Sequence, residues 1–198
     1  MVHDAGSPPV PRRARRADAA RNAELLLRAA RDLFAQDGPD AALDEVARRA
    51  GLGNATLYRH FPTRGDLLVA VYADEVAELC RGAGALAERH PPGDALFAWL
   101  DDFVVHVATK RALAHAVTEG PDERRSELFE RWHDSMRSTA EALLARARAA
   151  GAVRGDLAVG DLLALVSGAA MTAADAEHAR RLLAIMRHGF APPAARPV

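Results

Sequence analysis

Cysteine occurs once in the 198 residues, as Cys80, so neither an intramolecular disulfide framework nor a Cys-based zinc finger can form. Lysine also occurs once, as Lys110, and the other 25 basic residues are arginine. That skew reflects GC-rich coding as much as function. No apolar run approaches the roughly 18 residues of a membrane span. No apolar stretch follows the charges of MVHDAGSPPVPRRARR, so a secretory signal is not expected and the cytoplasm is the expected location. Neither charge sign is in excess: 26 basic against 27 acidic residues leave a net charge of −1. A uniformly basic nucleic-acid coat is thereby excluded, and a local basic patch is not. No HExxH, phosphate loop, GxGxxG or Gly-x-Ser-x-Gly occurs, so no catalytic residue, cofactor or metal is expected.

Alanine is abundant, with 45 copies, and hydrophobic residues make up 49%. Alanine is the strongest helix former. No Val/Ile/Thr/Tyr run alternates with period two, so strands are not expected. The chain reads as all-α. Residues 1–17, with Pro8, Pro9, Pro11, Arg12, Arg13, Arg15 and Arg16, form no core and read as a disordered basic arm. Residues 18–65 read as a helix-turn-helix domain, 66–190 as a second, longer helical domain, and 191–198 as an irregular tail. Residues 1–65 carry 11 Arg against 8 acids, and the remainder of the chain is acidic. A small basic domain with an acidic companion fits that split.

Helices are expected at Asp18–Asp37, Leu43–Ala50, Asn54–His60 and Arg64–Arg89. After His90-Pro91-Pro92-Gly93 they are expected at Asp94–Thr109, Arg111–Thr118, Arg124–Ala150, Val159–Ala173 and Asp175–Phe190, with Gly120-Pro121 as one break. The second and third are short and joined by Gly51-Leu52-Gly53, which is a helix-turn-helix. Ala47 is the small residue where the two helices cross. Gly51 tolerates a positive φ, and Leu52 and Leu57 pin the third helix to the second. The outer positions Asn54, Ala55, Thr56, Tyr58, Arg59 and His60 include no acid, so this face can approach phosphates.

The tract GLGNATLYRHFPTRGDLL, with its Thr-Leu-Tyr-x-His-Phe core, resembles the N-terminal domain of TetR-family transcriptional regulators. The close resemblance covers about 23–72. It implies an all-α homodimer, an N-terminal domain that reads double-stranded DNA, and a C-terminal bundle that senses a small molecule. Most members are repressors released from a palindromic operator by a ligand. By the resemblance, Asn54, Ala55 and Thr56 meet base edges, Tyr58 and His60 contact phosphates, and Arg64 also holds the backbone. Arg59 reaches either backbone or base. Gly53 stands where members often carry a capping Ser, and Ala41, Ala42 and Leu43 stand where a capping Thr is common. Asn54 either starts its helix or reads a base; Arg48 and Arg49 read as solvated.

In the bundle, Trp99, Phe103 and His106 share one helical face, and Trp132, His133 and Met136 recur on a later helix. These six are the candidate ligand-binding residues, against the rival reading that they are core. Leu162, Leu163, Val166, Ala169 and Ala170 form one apolar surface, and Leu182, Leu183, Ile185, Met186 and Phe190 another. Both read as dimer elements or as faces buried within one subunit. A rival function, a helical-bundle enzyme with a carboxylate/histidine metal site, rests on Glu130-x-x-His133 and the nearest second copy, Asp175-x-x-His178. A third is a helical interaction module without DNA, which has no need of the exposed Thr/Tyr/Arg/His face.

Overall fold

The computed structural model describes residues 12–118 and 123–190, and these form eight helices without a strand. The chain divides into two compact units, residues 1–67 and 68–198.

The first unit holds α1 (Arg12–Asp37), α2 (Leu43–Arg49), α3 (Asn54–His60) and the start of α4 (Arg64–Arg89). Leu26, Ala30, Leu33 and Phe34 of α1 bury against Leu43, Val46 and Ala47 of α2 and Leu57 of α3. Gly38, at φ 82°, ends α1 by donating its N–H to Phe34 O. α1 begins at Arg12, not at the expected Asp18. Arginine and alanine both propagate a helix well, and nothing between Arg12 and Asp18 breaks one. The basic segment Arg12–Arg16 is therefore helical in backbone; the remainder of the expected arm, residues 1–11, and the side chains of Arg12, Arg13 and Arg15 lie outside the described residues.

The second unit holds the rest of α4, then α5 (Pro92–Thr118), α6 (Glu123–Ala149), α7 (Val159–Thr172) and α8 (Ala176–Phe190). α5 packs against α6, α7 and α8. It is one helix where two were expected. No Gly or Pro interrupts it after Gly93, and the Thr109 hydroxyl donates to Val105 O (2.8 Å) within the helix. The core centres on Leu96, Trp99, Leu100 and Val104 of α5 with Ala140 and Leu144 of α6. Of the two apolar surfaces read as dimer elements or as faces buried within one subunit, Leu162, Val166, Ala170 and Leu183 are buried inside the chain, while Leu165 and Ile185 are 51% and 69% exposed. The side chain of Phe190, the break at Gly120-Pro121 and the tail 191–198 lie outside the described residues.

α6 ends at a left-handed Gly151, φ 67°, with Gly151 N–H on Arg148 O and Ala152 N–H on Ala147 O. That turn presses Ala152 onto the first turn of α5. A Cβ on Gly93 would lie 2.7 Å from the Ala152 Cβ. Both atoms are fixed to backbone, so one must move. Replacing Gly93 by Ala gains about 0.5–1 kcal/mol of helix propensity. The overpacking costs about 1–3 kcal/mol and outweighs it. Gly93→Ala should lower the melting temperature by several degrees in a circular-dichroism melt, and an unchanged melt would show that the two backbones are not pressed together.

Candidate nucleic-acid interface and bundle cavity

The geometry of the first unit turns on how α2 hands over to α3. Ala50 caps α2 in the right-handed region and Gly51 reverses at φ 70°. Gly51 N–H donates to Arg48 O (3.1 Å) and Leu52 N–H to Ala47 O (2.9 Å). This pair of bonds is a Schellman motif, which satisfies the last carbonyls of α2 and stops it sharply. Gly53 then caps α3 with its carbonyl alone, accepting from Thr56 N–H and Leu57 N–H, without a side-chain cap. Ala42 caps α2 equally without a side chain.

Leu57 is fully buried and Phe61, just past α3, is 8% exposed. Together they fix the rotation of α3 about its axis. Asn54, Ala55, Tyr58 and Arg59 then form one exposed arc, with Tyr58 50% exposed. Thr56 and His60 lie on its half-buried flank, and the His60 ring tilts against Phe61 at 6.2 Å. The exposed arc carries a carboxamide, a methyl, a phenol and a guanidinium, and no acid. Those are the groups that pair with adenine, touch a thymine methyl and hold phosphates.

The neighbouring cations are engaged within the protein. Arg48 makes a two-pronged pair with Glu45 (2.6 and 2.7 Å), and Arg49 Nε donates to the same carboxylate at 2.9 Å. Hydrogen bonds from Arg48 and then Arg49 lower the Glu45 carboxyl to about 2. Arg49 also donates to Gln36 Oε1 (2.8 Å), tying α2 to α1. Arg64 is half-buried, and its Nη1 donates to Pro39 O (2.9 Å) and Ala41 O (2.7 Å). A residue expected at a phosphate thus braces the loop between α1 and α2. Thr63 starts α4 with a capping box that sequence reading missed. Its N–H donates to Asp66 Oδ2 (2.9 Å), and Asp66 N–H donates to Thr63 Oγ1 (3.1 Å). The signal was legible as Thr-x-x-Asp ahead of an apolar run.

The second unit holds a partly open cavity of about 340 Å³. Three helices each give it a stripe at helical spacing: Phe103, His106 and Val107 of α5; Phe129, His133 and Met136 of α6; Leu163, Ser167 and Met171 of α7. Tyr72 of α4 completes it. Four of the six expected residues line it: Phe103, His106, His133 and Met136. Trp99 and Trp132 do not. Trp99 is fully buried behind the wall, stacked on Phe103 at 5.4 Å, with its indole N–H donating to Leu79 O at 3.1 Å. Trp132 backs the wall against Tyr72 at 5.1 Å. Tyr72, Phe129, Val107, Ser167 and Met171 were missed. Phe129 precedes His133 by one helical turn, so the α6 stripe was readable. Leu163, Ser167 and Met171 recur every four residues, but Leu163 also belongs to the apolar surface that reads as a dimer element or as a buried face.

The polar groups of the cavity have defined states. His133 Nδ1 lies 2.8 Å from Phe129 O. A carbonyl only accepts, so Nδ1 carries a proton and Nε2 is left to face other partners. The bond keeps the Glu130-x-x-His133 pair on its own helix. His178 Nδ1 accepts from Ala174 N–H at 3.1 Å. Among the described residues no three of His, Cys, Asp and Glu converge as a metal site.

The comparisons agree with this architecture. Residues 26–71 match the family described as bacterial regulatory proteins, tetR family, and residues 91–192 match the transcriptional regulator SbtR-like C-terminal domain. The TetR transcriptional regulator SCO0520 from Streptomyces coelicolor is 35% identical, with a TM-score of 0.76 over 87% of this chain and 99% of that one. A TetR transcription regulatory protein from Mycobacterium vanbaalenii is 36% identical, with a TM-score of 0.73 over 89% and 98%. The HTH-type transcriptional regulator SAB2452 of Staphylococcus aureus is 24% identical over 132 residues, 62% of this chain and 71% of its own. The chain belongs to the TetR family of transcriptional regulators. It is a DNA-binding regulator with an N-terminal helix-turn-helix domain and a C-terminal helical domain, and no helix among the described residues is long and apolar enough to cross a membrane.

Tyr72 gives the cavity a testable signature. Burial, and then the charge of the buried Glu75, push its hydroxyl up to about 12. Below pH 10 the phenol is protonated in the folded and unfolded chain alike. Between about 10 and 12 the unfolded chain releases its proton first, so stability falls across that window. The chain has two tyrosines, so Tyr58→Phe isolates Tyr72. Its absorbance at alkaline pH should titrate near pH 12 while the protein stays folded, and a midpoint near 10 would place the ring in water.

Proposed function

We propose that the protein is a repressor that binds a palindromic operator as a homodimer and leaves it when a small molecule enters the cavity of the second unit. The observation that carries the reading is the acid-free arc of α3, held outward by the Gly51 turn and the buried Leu57. Asn54 reads a base edge, Ala55 touches an apolar base group, and Tyr58 and Arg59 position the backbone. Thr56 and His60 act from the flank. Arg64 supports the interface from behind through the Pro39–Ala41 loop. Leu165 and Ile185, exposed on α7 and α8, suit a face that a second copy covers, and two symmetric heads call for two symmetric half-sites.

The ligand reaches the head through α4. Arg64 and Tyr72 stand eight residues apart on that one helix, about two turns. A ligand that binds the two states with different affinity biases the setting of α4 and with it the spacing of the heads. The site of action is the cytoplasm, where the operator lies. The enzyme reading has no converging carboxylates among the described residues to support it, and the arc of α3 gives the DNA reading its advantage over a plain interaction module.

A mobility-shift titration against the DNA upstream of the chain's own gene tests this. The wild type should shift a palindromic fragment as a dimer by light scattering. Asn54→Ala should lose about 1–3 kcal/mol of discrimination at one base per half-site, while Tyr58→Phe weakens all sequences alike. An Asn54→Ala protein with unchanged sequence preference, or full operator affinity in a monomer, would overturn the reading.

A further inference from the structure

We infer that the cavity of the second unit takes an uncharged aromatic molecule of about two rings, stacked among Tyr72, Phe103 and Phe129, and rejects the same skeleton bearing a negative charge. The inference rests on the reading that this cavity is the ligand site. A volume of about 340 Å³ is at the small end for ligand pockets. It accommodates a naphthalene- or biphenyl-sized body. Five of its lining side chains are rings, and Tyr72 already sits 5.9 Å from Phe129 in a stacked arrangement. Ring walls reward an aromatic guest through offset and edge contacts that an alkyl chain forfeits. The thioethers of Met136 and Met171 adjust to its outline.

The exclusion of charge follows from the rest of the lining, which among the described residues contains no Asp, Glu, Lys or Arg. A carboxylate or sulfonate would lose its hydration without meeting a fixed counter-ion. What the site offers a polar substituent is hydrogen bonding. Tyr72 keeps its phenolic proton at neutral pH, Ser167 carries a hydroxyl, and His133 presents Nε2. A hydroxyl or amine on the ring system suits these groups.

Two fluorescent probes separate the alternatives. N-phenyl-1-naphthylamine and 1-anilinonaphthalene-8-sulfonate share one ring skeleton and differ by a sulfonate. Both are titrated into the full chain, with dodecan-1-ol as an uncharged aliphatic competitor. The neutral probe should bind at least tenfold tighter than the sulfonate, and dodecan-1-ol should displace it poorly. Leu163→Trp fills the cavity and should weaken the neutral probe at least tenfold with an unchanged melting temperature. Should that variant fail to fold, Met171→Trp at the exposed rim makes the same test. Equal or tighter binding of the sulfonate, ready displacement by dodecan-1-ol, or undiminished probe binding in the folded filled variant would each overturn the inference. Operator release is read separately by mobility shift. A neutral probe that binds in the cavity without releasing DNA upholds the ligand class and overturns the release mechanism. Release by an anion in preference to the neutral probe does the reverse.

Discussion

A single left-handed residue organises the DNA-facing unit. Gly51, at φ 70°, stops α2 and lets Leu52 N–H return to Ala47 O. Any L-side chain there meets its own carbonyl, which is why glycine is the residue that fits. The turn leaves α3 only a short lead-in, so the starting point of α3 is set by the end of α2. Leu57 and Phe61 then set its rotation. Because each residue of a helix turns by about 100°, Thr56 and His60 stand about 200° around the axis from Asn54 and Tyr58, and the two anchors decide which pair faces outward. The arrangement of base-reading groups is therefore a consequence of backbone hydrogen bonds and two apolar anchors. The bracing around it works to the same end. Arg64 fastens the Pro39–Ala41 loop, Glu45 gathers Arg48 and Arg49, and Arg49 reaches Gln36 on α1.

The second unit applies a different principle. Its helices pack around Trp99, Leu100 and Leu144, but the stripes of α5, α6 and α7 diverge enough to leave a cavity beside that core. The distinction between core and cavity wall is one of a helical turn. Trp99 is fully buried and hydrogen-bonded to Leu79 O; Phe103, four residues on, stacks on it and faces the cavity. The wall is thus backed by a rigid aromatic layer, which favours a pocket that keeps its shape.

Most of the first unit was legible in the chain because its signals are local. The Gly51 turn, the Leu57 and Phe61 anchors and the span of α3 follow from residue types at short spacing. So did the bounds of α4. The start of α1 was misplaced because Asp18 resembled a cap, while the Arg and Ala before it propagate a helix as well as the residues after it. α5 runs on through Lys110, where two helices were expected, because no residue there stops a helix. The fate of Arg64 was not readable: its carbonyl partners lie 23 and 25 residues away. The cavity was half legible. Phe103, His106, His133 and Met136 stood out as ring and sulfur side chains on one face. Which of two tryptophans sits behind the wall depends on helix rotation set by tertiary packing, and the contribution of α7 depends on which of its faces the bundle covers.

Gly51 is the element that orients α3, and a pair of substitutions tests this directly. Alanine at a left-handed position costs about 1–2 kcal/mol, while asparagine visits that region far more readily. Operator affinity is measured by mobility shift for Gly51→Ala and Gly51→Asn, with helix content followed by circular dichroism. The account predicts that the alanine variant keeps its helices and loses about tenfold in operator affinity, as expected for a distortion of roughly 1.4 kcal/mol, and that asparagine recovers most of the loss. An alanine variant that binds the operator as tightly as the wild type would contradict it.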